Sequence, residues 1–416
     1  MSPRLRLVAL RVRGVLARAL ARAWMAAVPP HAQALVAGLP DTEENSLVTA
    51  LALARRSRGE VLLVAHEPAV ARAALDRVAR VLDGPHGEEH AAAAARVVVV
   101  PKRGRGTFGA FVRSRLVLYT HGLFDSPRPV RGRLHVNLWH GSGPKWNGNA
   151  NQSQRIGADV LAANNVPWGR EVARALSMPS GTRIVPGNAR EDVMLAARDR
   201  SALARLGLDP ARPVLLWMPT FRTSGRAGRV GLREGEPLGG LGDPVLDALV
   251  AACAGTGVQL VLKTHRHDDD DYVRLGVPSL TTEDVLAAGL TLYELLGLAD
   301  GLVSDYSSVW VDFLATGRPV ALHCPDLESY ERARGLNEPP LREVAGGLFL
   351  EDPAGAEELA GALAAGSAFR PAALAATLER LGVRVGGGSR ADAMLDAVRQ
   401  TALERLGTDL GIEPRA

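Results

Sequence analysis

The chain has 416 residues, 47% hydrophobic and 23% charged, a composition that supports a buried core and leaves room for two domains of ordinary size. Aromatic residues make up only 4%, too few for the stacking platforms of a nucleic-acid reader, so no nucleic-acid partner is expected. Net charge is +4, and the only cysteines, Cys253 and Cys324, form no CxxC pair, which argues against a disulfide framework or a structural zinc site and fits a reducing compartment.

The positive excess sits at the front. Residues 3–23 hold six arginines and no acid, interspersed at roughly helical spacing with Leu5, Leu7, Val8, Val12, Leu16 and Leu20, and Trp24 follows at the same spacing. The segment is too charged to span a bilayer and lacks the continuous apolar core of a secretory signal. Two readings stand: an amphipathic helix whose residues 3–24 lie on an anionic membrane surface, which is preferred, and an Arg-rich helix packed on its own domain. Pro29-Pro30 breaks the pattern.

Helices and strands then alternate. A helix is expected over Glu44–Arg56, a strand at Val61–Ala65, and a helix over Pro68–Leu82 with proline at its first position. Strands follow at Arg96–Val100, Leu116–Tyr119 and Leu134–Trp139, and a turn around Pro186–Asp192 ends this half. The pattern restarts at Pro213 with a strand at Val214–Met218, a Gly/Arg-rich loop, a helix over Asp243–Ala254 and a strand at Gln259–Lys263. A helix over Leu292–Leu298 leads to a strand at Gly301–Ser304, a turn, a helix over Val309–Thr316 closed by Gly317, and a strand at Pro319–His323. A further strand is expected near Gly347–Leu350, with helices from Ala354 onward. Two βαβ halves joined near residue 200 imply parallel sheets and two Rossmann-like domains facing a cleft.

Ligands of such sheets sit beyond the carboxyl ends of the strands, so the turns after strands carry the information. The segment 301–330 feeds a strand into a helix through Asp305-Tyr306-Ser307-Ser308, aiming N–H groups at one place that suits a phosphate. Equally, Ser307 is an ordinary helix cap. A second turn, Trp139-His140-Gly141-Ser142-Gly143-Pro144-Lys145, delivers a histidine fit for proton transfer and a lysine that could meet a phosphate. A third, Lys263-Thr264-His265-Arg266-His267, runs into Asp268–Asp271; a metal reading is outweighed by that of a solvated acidic loop, and no metal is assigned. Thr220 and Arg222 add possible phosphate donors after Met218. His66, His121 and His135 lie on or beside strands and receive no role. There is no GxxxxGK[ST] loop and no GxSxG elbow.

The motif order resembles the CDP-glycerol glycerophosphotransferase family, whose members build glycerol-phosphate polymers or primers for teichoic acids. The matching residues are Trp139-His140-Gly141, Gly187-Asn188-Ala189-Arg190-Glu191-Asp192, Pro219-Thr220-Phe221-Arg222, Lys263-Thr264-His265, and Ser304 through Tyr330, with Leu39-Pro40-Asp41 and Asn45-Ser46 near the N-terminus. Ser142 stands where threonine is usual, Ala189 replaces a proline, and Arg266 replaces the proline after His265. The resemblance implies a GT-B fold: residues 1–28 as a membrane-contact helix, 29–197 as the acceptor domain and 198–416 as the CDP-glycerol domain. It implies peripheral attachment to the inner face of the cell membrane. It also implies catalytic roles for His140 and His265, donor-phosphate contacts from Ser307, Ser308, Asp305, Thr220, Arg222, Arg266, Lys263 and Asp326, and an acceptor side formed by Gly141, Ser142, Lys145 and Arg190.

The expected reaction is transfer of glycerol phosphate from CDP-glycerol to a hydroxyl, on a lipid-linked acceptor, with release of CMP and no required cofactor. The alternatives are a CDP-ribitol-dependent transferase, a GT-B glycosyltransferase using a nucleotide sugar, and a catalytically silent membrane-associated scaffold.

Overall fold

The computed structural model describes residues 3–102, 104–146, 155–220, 243–263 and 276–415. The chain forms two compact units. The first comprises Met1–Ser142, Asn147–Val193 and Gly388–Ala416, and the second Gly143–Trp146 and Met194–Gly387.

The first unit is built on seven parallel strands: β1 (His31–Ala37), β2 (Glu60–Ala65), β3 (Val97–Pro101), β4 (Ser114–Tyr119), β5 (Leu134–Asn137), β6 (Val160–Ala163) and β7 (Arg183–Pro186). Their order is β3-β2-β1-β4-β5-β6-β7. Runs such as EVLLVA and LHVN are buried nearly end to end, as strands covered on both faces must be. Leu35, Val64, Phe111, Val117, Trp139 and Leu161 lie in one core. The order reverses between β1 and β4, so the carboxyl ends of these strands border the crevice where such sheets hold ligands. β1, β6 and β7 were not foreseen: HAQALVA and VLAA are alanine-rich, and RIVP spans only four residues, too short for a period-2 pattern to register.

Five parallel strands make the second sheet: β8 (Val214–Met218), β9 (Gln259–Lys263), β10 (Ser279–Leu280), β11 (Gly301–Ser304) and β12 (Val320–Leu322), ordered β10-β9-β8-β11-β12. Here the order reverses between β8 and β11. Leu215, Trp217, Leu249, Leu262, Val303 and Leu359 form the core. The helix Pro244–Thr256 starts at Asp243, whose carboxylate accepts the N–H groups of Val245 and Leu246, and ends at Gly257 in the left-handed region.

Two expectations are corrected. Gly347–Leu350 is no strand. Gly346–Leu348 form a 3-10 turn, and contact with the sheet is a single parallel bridge from Phe349 to Leu322. The unit boundary falls after Val193 rather than at 197, and the C-terminal helix Arg390–Leu406 returns to the first unit. Asp192 fixes that return: its carboxylate accepts the Arg390 N–H at 2.6 Å, the Ser389 hydroxyl at 2.6 Å and the Ala391 N–H at 3.1 Å. Glu191 pairs with the buried Arg390 guanidinium at 3.1 Å.

Candidate functional site

In the first unit the loop after β5 carries His140. The strand stops at Asn137 because that side chain accepts the Trp139 N–H at 3.2 Å while its amide donates to the Tyr119 carbonyl at 3.2 Å. Trp139 takes φ +31° and Gly141 φ +146°, a pair of turns only well-held backbone sustains. Asparagines clamp both ends of the loop. Asn45 donates to the Trp139 carbonyl at 3.0 Å, and its oxygen accepts the Arg190 N–H at 3.0 Å. Asn164 accepts the Ser142 N–H at 2.6 Å, and Asn165 donates to the Ser142 carbonyl at 3.2 Å. Three stretches noted separately in the sequence, at Asn45, Trp139 and Arg190, are thus one hydrogen-bonded assembly. Within it the His140 side chain is exposed, whereas Trp139 and Ser142 are buried.

The other acceptor-side candidates differ in their settings. Ser142 contributes its backbone, since its side chain is wholly buried. Arg190 is buried, with its guanidinium 3.9 Å from Glu43. Lys145 belongs to the second unit rather than the first. Asn337 straps its segment down, donating to the carbonyls of Gly143 at 2.7 Å and Lys145 at 3.1 Å, while its own N–H reaches Pro144 at 2.6 Å.

In the second unit the turns after β8 and β11 meet at the switch point. Asp305, buried at the end of β11, accepts the Thr220 N–H at 2.9 Å and the Thr220 hydroxyl. The Ser304 hydroxyl donates to the Met218 carbonyl at 2.7 Å. Ser307 accepts the Val309 N–H at 3.4 Å, and Ser308, the residue before the helix, makes no side-chain capping bond. The helix itself is short, Val309–Phe313, continued by a 3-10 turn over Leu314–Thr316. Gly143 lies directly against this turn: a Cβ on it would sit 2.8 Å from the Ser308 Cα.

Asp305 and Asp326 were expected at the donor phosphates. Both carboxylates accept hydrogen bonds from the protein. Asp326 accepts the Tyr306 hydroxyl at 2.9 Å, and the Tyr306 ring stacks on Tyr330 at 3.8 Å. These residues buttress the turn. Lys263 is buried and donates to Thr282 at 3.1 Å. His265, Arg266 and Arg222 lie outside the described residues.

The positive charge at the turn comes from a lysine and an arginine the sequence did not connect. Burial pushes the Lys145 ammonium below the ordinary lysine range, Arg334 pushes it further, and Asp305 opposes both. Two cations that repel one another favour a neighbouring anion, a part Asp305 already plays for Lys145. No sequence signal marks Arg334 or Asn337, because only the docking of residues 143–146 gives them a role. Among the described residues, no group of three or more His, Cys, Asp or Glu side chains could hold a metal ion. Among the same residues, no helix is long and apolar enough to cross a membrane.

The chain is similar over 97% of its length to solved structures of the wall teichoic acid polymerase TagF, at 16–17% identity and TM-scores of 0.59 and, for a variant soaked with CDPG, 0.62, with 98% of those chains covered. This likeness establishes the GT-B-type fold. Over 143 residues it is 34% identical to the teichoic acid ribitol-phosphate primase of Bacillus spizizenii, and over 47 residues 45% identical to the teichoic acid glycerol-phosphate primase of the same organism. These matches take in 33% and 12% of the two primases' lengths. The model of the CDP-glycerol:poly(glycerophosphate) glycerophosphotransferases matches residues 86–372, more than half of the chain, and the chain belongs to that family.

Proposed function

We propose that this protein transfers glycerol phosphate from CDP-glycerol to a hydroxyl of a lipid-linked acceptor in the synthesis of a teichoic-acid-like polymer. The observation that carries the reading is the turn at Asp305–Ser308, tied to Thr220, packed against Gly143 and electrostatically coupled to Lys145, within the span the family model matches. The acceptor oxygen attacks the β-phosphorus, the bond from that phosphorus to the oxygen of CMP breaks, and His140 takes the hydroxyl proton. Lys145, Arg334 and the hydroxyls of Ser307 and Ser308 offset charge that builds on the diphosphate, usually the larger contribution. The reading gives His265 and Arg266 a place at the same phosphates and invokes no cofactor.

A second donor, CDP-ribitol, is favoured by one observation, the 34% identity to a ribitol-phosphate primase. Purified protein given a lipid-linked acceptor with CDP-glycerol, CDP-ribitol or UDP-sugars is expected to release CMP from a CDP-alditol. Nucleotide release from UDP-sugars alone would overturn the reading in favour of a glycosyltransferase, and release from none would favour a silent scaffold. His140→Ala is expected to slow CMP release by about 10²–10⁴-fold. An unchanged rate would remove the base assignment.

The N-terminal helix, Pro3–Ala27, supports a membrane-surface location. Ala21 and Met25 turn into the core, while Val12, Leu16, Leu20 and Trp24, one turn apart, stay 50–64% exposed. An apolar stripe that the domain does not cover, on an Arg-rich helix, fits the interface of an anionic bilayer. Leu16→Glu with Leu20→Glu should abolish co-sedimentation with vesicles containing phosphatidylglycerol. Undiminished sedimentation would count against the helix as the anchor.

A further inference from the structure

The His140 ring lies against a second imidazole. His121 follows β4, and its ring is parallel to that of His140, with centroids 4.3 Å apart and 9° between the planes. The Trp139 indole adjoins the same His140 ring at 4.0 Å and 35°. His121 is held in turn, with its Nδ1 3.0 Å from the Thr120 hydroxyl. Burial holds the His121 imidazole below its ordinary range, and Lys102 adds to this, so both favour the neutral ring. A neutral ring tolerates a proton on His140, because an aromatic face attracts a cation, whereas two charged rings at this distance would repel.

The asparagine clamps described above act on the backbone around His140, not on its side-chain torsions. A flat partner at stacking distance restricts those torsions and so bears on the plane in which both ring nitrogens lie. Proton transfer depends on that direction, since the base must reach the hydroxyl along a hydrogen bond. We propose that His121 is a positioning residue for His140, the platform that sets the orientation of its ring. The proposal rests on the reading of His140 as the base.

The test uses the full chain with ¹³C-labelled histidine, the His140 signal being assigned by its loss in His140→Gln. In His121→Ala the His140 Cε1–H signal should move, because the ring current of the stacked imidazole is gone. The kcat for CMP release should fall about 10–100-fold, with KM for CDP-glycerol held within about twofold. His121→Phe, which restores a flat ring without a titrating nitrogen, should recover kcat to within about threefold of the parent. An unmoved His140 signal in His121→Ala would overturn the proposal. So would a His121→Phe protein that melts like the parent yet is as slow as His121→Ala. Should the parent release no nucleotide from any CDP-alditol, the base reading of His140 fails, while the NMR comparison still decides whether the two rings stack, without which His121 cannot position His140.

Discussion

At the scale of single residues, the proposed function divides the conspicuous side chains into those that would meet a ligand and those that hold the first group in place. His140, Ser307, Ser308 and Lys145 belong to the first kind. Asp305, Tyr306, Asp326 and Tyr330 belong to the second, joined by hydrogen bonds and a stacked ring pair. Motif matching does not separate the two, because both are equally fixed in type: a buried carboxylate needs its donors as strictly as a phosphate does. Gly143 is a third kind, required for what it lacks. Gly143→Ala would set a methyl 2.8 Å from the Ser308 Cα, where only backbone can give way. It is expected to cost about 1–3 kcal/mol and to raise KM for the CDP donor as the strap lifts from the turn. Thermal melting and initial rates check this, and an unaltered KM would show that the strap leaves the turn undisturbed.

At the scale of elements, strand ends and caps do the placing. The helix after the turn is one α-turn and a half with a 3-10 continuation, so its dipole is small. Another cap gives a pH prediction. Asp243 starts the helix Pro244–Thr256 and also meets the buried His323 Nε2 at 2.9 Å. Burial alone would push its carboxyl up, but His323 and the N–H groups of Leu246 and Val245 outweigh this and hold it below the usual aspartate value. A depressed acid adds stability that is complete above the unfolded value of about 3.9 and is lost as pH falls below it through the folded value. Asp243→Asn should therefore lower stability by about 1–2 kcal/mol at pH 7 and flatten the loss of stability as pH falls below about 4. Urea titrations across that range measure both effects, and an unchanged slope would refute the assignment.

For the whole molecule, the chain crosses between its units more than once, since residues 143–146 join the second and Gly388–Ala416 return to the first. Asp192 anchors that return, and Asp192→Ala would strip three donors of their acceptor in a buried place. The expected cost is about 3 kcal/mol, read as a melting point lower by roughly 5–10 °C, with the helix Arg390–Leu406 newly open to protease. The sequence by itself determined the α/β class, several elements to the residue, such as Glu44–Arg56, Val214–Met218 and Leu292–Leu298, and the turns that end strands. It could do so because propensity, periodicity and capping act within a few residues of the chain. Only the tertiary structure decided that Asn45 holds the His140 loop, that Asn337 holds Lys145, that His121 stacks on His140, and that the Gly187–Asp192 stretch receives the C-terminal helix. Those partners stand from 19 to 198 positions apart, and a hydrogen bond or a stacked ring depends on distance in space, which the order of residues does not carry.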